Sequence, residues 1–198
     1  MKRLEKNGEN VSCIMLSALL MCLLLTFGCG STTDSNGEKD EEEVSFALKC
    51  NPSSVTIAGV GQTNDVDVVV ENASGLITAR FTVSFNPSLV EVTNIKISGS
   101  GFIFTDAGAN VIPGDKSYDN ETGEIVVGVL AQKQGFTGTD GDGILAKITF
   151  KGKSTGSGNL SFIDSEDLDI YMGKYSAEDT SGFVEQSVKT YNGSITVQ

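Results

Sequence analysis

The chain contains no histidine, which removes Ser–His and Cys–His nucleophile pairs and every histidine metal site. Acid–base chemistry would fall to paired carboxylates of the kind that cleave glycosidic bonds. Two groups qualify by spacing: Asp140 and Asp142 in TGTDGDG, and Asp164, Glu166, Asp167 and Asp169 in DSEDLD. Asp-Gly-Asp-Gly is first of all a turn signal, read as a hairpin loop. It lacks the later Glu with which an EF-hand calcium loop completes its ligand set. The second group reads as a solvated loop with a helix-like turn. No catalytic residue, metal ligand or cofactor is therefore expected, and the chain reads as a binding protein.

Four cysteines are present. Cys13 and Cys22 lie in the apolar run Cys13 to Phe27, which follows a basic start of Lys2, Arg3 and Lys6. That run is short of the roughly 20 apolar residues of a membrane span and fits the core of a secretory signal peptide. It ends at Gly28-Cys29-Gly30, which resembles a bacterial lipobox, where cleavage precedes a cysteine that then carries lipid. Thr26 and Phe27 stand where the lipobox usually has Leu and a small residue. Residues 1–28 are thus expected to be a signal peptide and Cys29 the lipid attachment site, making the protein an exported, membrane-anchored lipoprotein of the cell envelope. Cys50 alone would remain, so no intramolecular disulfide can form. With no base to activate it, Cys50 reads as a buried small hydrophobe.

Without residues 1–28 the chain carries 11 basic and 24 acidic residues, a net charge of −13. Such a surface repels nucleic acid and anionic membrane, so contact with a membrane is expected through the lipid only. Residues 30–43 (GSTTDSNGEKDEEE) hold no apolar side chain. With the lipidated cysteine they form a 29–43 linker, expected to be disordered and able to reach about 50 Å when extended.

From residue 44 to 198 the apolar pattern has period two. Val66, Val68 and Val70 share one face; Ala79, Phe81, Val83 and Phe85 share another; Ile144, Ala146, Ile148 and Phe150 a third. GEIVVGVLA is apolar on both faces, as a central strand is. Glycines cluster between these runs, and no amphipathic helix of three turns follows residue 43. Together these indicate an all-β domain, an antiparallel β-sandwich or jelly roll.

Four segments, in order, resemble a cohesin domain, the module that receives dockerins in cellulosomes. They are VVVENASGLITARFTVSFNP (a strand, a turn ending in Gly-Leu, a second strand closing on Pro87), SLVEVTNIKIS, GEIVVGVLAQKQGFTGTDGDGILAKITFK and YNGSITV. They span roughly residues 54–198. The resemblance implies a nine-stranded jelly roll related to carbohydrate-binding modules and a protein partner packed on one sheet face. A dockerin-bearing, polysaccharide-degrading enzyme is one such partner. Direct polysaccharide binding through Tyr118, Tyr171, Tyr175 and Tyr191, or self-association, are alternatives on the same scaffold. The partner-contacting positions implied are Thr78, Arg80, Asn120, Val129 and Gln132. Cohesins typically have Asn and Asp at the first two and an acid at the last, so Thr78, Arg80 and Gln132 depart from the family. Arg80 inverts the local charge, and charge pattern is how such faces choose partners.

Overall fold

The computed structural model describes residues 46–164, 170–178 and 183–198. Cys29, the leader, the linker, and Glu166, Asp167 and Asp169 lie outside the described residues. Those described belong to one compact unit, Glu42–Gln198. Among the described residues twelve strands and one short helix follow in order: β1 Phe46–Asn51, β2 Ser54–Ile57, β3 Thr63–Ser84, β4 Val90–Lys96, α1 Ile103–Asp106, β5 Asn110–Asp119, β6 Glu124–Gln132, β7 Thr139–Gly152, β8 Gly156–Ile163, β9 Tyr171–Tyr175, β10 Phe183–Glu185, β11 Val188–Tyr191 and β12 Gly193–Val197.

One layer runs β4–β7–β3–β1–β11 and uses the first half of β3. The other runs β5–β6–β3 and continues to β8 and β9, using the second half. The all-β jelly roll agrees with the reading from sequence, while the number of strands exceeds nine. Pro52 offers no N–H to a ladder and separates β1 from β2. These two pair in parallel with β11 and β12, themselves separated at Asn192. The β9–β10 hairpin adds a further pair.

A second difference concerns β3. The turn expected before Leu76 is instead a bulged crossing within one 22-residue strand. Val66, Val68 and Val70 are buried before it, and Ala79, Phe81 and Val83 after it, so the inward positions change from even to odd. A period-two strand can change phase only at an irregularity. Asn72 (φ 58°) and Gly75 (φ 66°) supply it. Asp142 Oδ1 accepts the Asn72 N–H at 2.9 Å and Asp140 Oδ1 accepts the Gly75 N–H at 2.6 Å. These two acids thus sit at the start of β7 rather than in a hairpin loop, held there by the donors that the bulges leave unpaired.

The inner faces of both layers merge into one apolar core. Phe85 and Phe150 meet edge to face at 5.8 Å, and Phe81 and Phe162 at 6.2 Å. Each such pair contributes about 0.5–1.5 kcal/mol beyond its buried area.

Candidate docking face

The second half of β3 directs Ala79, Phe81 and Val83 into the core, so Thr78 and Arg80 must face outward. Residues directly opposite in a ladder share a face. Thr78 lies opposite Leu130 and Arg80 opposite Gly128 on β6; Ile112 on β5 lies opposite Leu130; Gly173 and Tyr171 on β9 lie opposite Thr78 and Arg80. These outward positions enclose a shallow cleft of about 270 Å³, lined chiefly by Thr78, Arg80, Ile112, Asp115, Leu130 and Tyr171.

Its floor depends on missing side chains. Between Pro113 and Lys116 the register of β5 shifts, and the bulge arches over Gly128. A Cβ on Gly128 would stand 3.0 Å from the Asp115 nitrogen. With no side chain at 128, Arg80 reaches across β6 and its Nε donates to Asp115 Oδ2 at 3.3 Å. Both side chains are well exposed, 36% and 60%, so the pair contributes about 0–1 kcal/mol to stability. On the other side, a Cβ on Gly173 would lie 2.5 Å from the Thr78 methyl and about 3.1 Å from the Tyr171 ring. Glycine there leaves room for both side chains. Beside this polar centre, Leu130 and Ile112 form an apolar pair left 40% and 38% exposed. An apolar patch with a polar rim is the composition of a protein interface.

The residues implied by resemblance divide under this geometry. Thr78 and Arg80 line the cleft. Gln132 is exposed at the end of β6, opposite Asn110. Val129 requires correction: it lies opposite Ala79, faces the core and is 2% exposed, so the outward place belongs to Leu130. Asn120 also requires correction. It sits in the β5–β6 turn, where its Oδ1 accepts the Val92 N–H at 2.7 Å and its Nδ2 donates to the Val92 carbonyl at 3.0 Å. Its side chain clasps β4 and does not line the cleft. Asp115, Leu130 and Ile112 were not singled out from the sequence as contacts, and Tyr171 only as a platform for polysaccharide. The signal for them was Gly128 within an apolar strand, which marks a close backbone approach.

Other chemistry-bearing groups are engaged elsewhere. Cys50 is a buried free thiol that burial pushes up to about 11, although the Gly193 N–H acts in the opposite direction. The Glu121 and Thr122 N–H groups hold the Asp119 carboxyl below its usual range, and with them it closes the β5–β6 turn. Among the described residues no cluster of three or more acidic or thiol side chains could hold a metal. Of the four tyrosines, Tyr171 lines the cleft, Tyr175 ends β9, Tyr118 lies on β5 and Tyr191 on β11 of the other layer.

The family model described as Cohesin domain matches residues 49–197. The fold is similar to the seventh ScaB type I cohesin of Pseudobacteroides cellulosolvens, with a TM-score of 0.56 and 20% identity over 77% of this chain and 92% of that one. It is similar to a non-cellulosomal cohesin of the archaeon Archaeoglobus fulgidus, at 0.53 and 20% identity over 78% and 91%. It is also similar to the third cohesin of ScaC from Acetivibrio cellulolyticus, solved in complex with the ScaB dockerin, at 0.56 and 21% identity over 77% and 98%. A search by sequence among curated proteins returns no match.

Proposed function

The chain belongs to the cohesin family, and from that premise we propose that it is a non-catalytic docking module whose β5–β6–β3–β9 face receives a dockerin-like protein. The observation that carries this reading is the exposed Leu130–Ile112 pair beside an open cleft on the outer face of the sheet. Thr78, Arg80 and Gln132 stand on that face as contacts. Val129 and Asn120 support it from beneath and from the adjoining turn. A helix laid across the sheet would bury the apolar pair at its centre and leave the polar groups at the rim. The similar ScaC cohesin was solved with a dockerin bound, which favours this class of partner.

We further propose display on the cell envelope, with residues 1–28 removed, Cys29 acylated and residues 29–43 serving as a spacer. Calorimetric titration of dockerins encoded in the same genome tests the docking reading. Micromolar or tighter binding to at least one is expected, and no binding to any of them would remove it. Cys29→Ala followed by cell fractionation tests the anchor; full retention in the membrane fraction would overturn acylation at this residue.

A further inference from the structure

We propose that Arg80 makes this face a reader of one carboxylate on a docked helix, taking it from the partner into the cleft beside Gly128. This inference rests on the docking reading and names the chemistry of the partner at the centre of that face.

Arg80 carries five N–H donors in a planar fork. Among the described residues its one hydrogen bond leaves through Nε, to Asp115. Among the described residues neither Nη group has a side-chain acceptor, and the side chain is 36% exposed. A guanidinium held at one nitrogen, with its remaining edge open, is prearranged for a second carboxylate. Gly128 lets the β5 bulge pack against bare backbone, a Cβ there standing 3.0 Å from the Asp115 nitrogen, and so brings Asp115 to Arg80 at the edge of the cleft. Leu130 and Ile112 flank the cleft with apolar surface. A helix docked there would exclude water around the ion pair, where removing either partner is costly.

Asp115 has a second role in this arrangement. It orients Arg80 in the free protein, and it repels an incoming carboxylate at the same time. The chain carries a net charge of −12, so a strongly acidic partner would be repelled at long range. The occupant is therefore a helix with one carboxylate among apolar neighbours and a neutral or basic remainder. Charges beyond the screening length of about 10 Å matter little for the final contact.

A displayed library of a two-helix dockerin, randomised at its sheet-facing helix positions, tests this when selected against the full chain. Binders to the wild-type chain are expected to concentrate Asp or Glu at one position. Selection against Arg80→Glu should replace these with Lys or Arg. For a single acidic binder, Arg80→Gln should weaken affinity by about 30-fold, while Asp115→Ala should strengthen it several-fold. If Arg80 merely supported the sheet, Asp115→Ala would weaken binding too. Unchanged circular dichroism and urea midpoints would establish that the variants are folded. Binders with no acidic preference, or with the same preference against Arg80→Glu, would overturn the inference and leave the docking reading intact. Recovery of no dockerin binder at all would overturn both.

Discussion

On the first half of β3, Asp65 and Asp67 face outward and meet partners across the ladder: Thr149 Oγ1 donates to Asp65 at 2.8 Å, and Lys147 pairs with Asp67 at 2.5 Å. On the same face Lys151 pairs with Glu91 at 2.9 Å, and Lys49 pairs with Glu71. On the second half, Thr78 and Arg80 face outward beside a glycine-floored cleft and two exposed aliphatic side chains. One strand thus supplies two outer faces. The first pairs three of its four acids with lysines, gives the fourth a hydroxyl, and offers water a polar surface. The second leaves apolar area and an incompletely bonded guanidinium open. Such a face gains more from being covered by a partner, because desolvating it sacrifices fewer protein–water contacts.

The largest expected effect lies in the interior that both faces share and provides a baseline for the comparison. Folding raises the Cys50 pKa from 9.0 to about 11, so the folded state holds its proton more tightly than the unfolded state. The contribution is complete below pH 9 and falls as pH rises toward 11, by roughly 2–3 kcal/mol. Urea midpoints measured across that range should fall less steeply for Cys50→Ala than for the wild type. Equal slopes would count against a buried neutral thiol.

Gly128→Val should act on the docking face in two ways. It crowds the Asp115 backbone, destabilising the fold by about 1–3 kcal/mol, and it displaces the bulge that forms one wall of the cleft, so that dockerin binding is lost. Retained affinity would mean that the partner does not enter there. Leu130→Glu is expected to separate the two readouts, weakening binding by roughly 30-fold while changing stability by less than about 0.5 kcal/mol. Asn120→Ala should show the opposite separation, since it leaves the Val92 backbone groups without their partners. It should lower stability by about 1–2 kcal/mol, with titrated affinity unchanged. The smallest effect belongs to the polar face: Lys151→Ala, which removes the exposed pair with Glu91, should cost at most about 1 kcal/mol, less in high salt, and leave binding alone. A loss of affinity there would erase the distinction between the faces.

Much of the fold was legible because burial writes a period into the chain. Val66, Val68 and Val70 point one way along the sequence, and Ala79, Phe81 and Val83 are offset from them by an odd number, so the phase change was already visible. That it is a bulged crossing and not a turn was not visible. Asp140 and Asp142 hold it from 65 and 70 residues away, and no local pattern reports bonds of such separation. The cleft was partly legible through Arg80 and Thr78, which depart from their family. Val129 and Leu130 illustrate the limit: both are aliphatic neighbours on a strand apolar on both faces, and only the register against Ala79 and Thr78 decides which of them a partner can touch.

By itself, then, the sequence determined the all-β class, the inward residues of the strands that alternate, the lack of histidine chemistry and the positive charge at position 80. Each follows from side-chain type and a period of two. Only the tertiary structure decided that Asn120 clasps β4, that Leu130 faces outward, and that Arg80 meets Asp115 across a glycine. Those facts depend on which strands lie side by side and in what register, which is set by the burial of the whole core and not by any one segment.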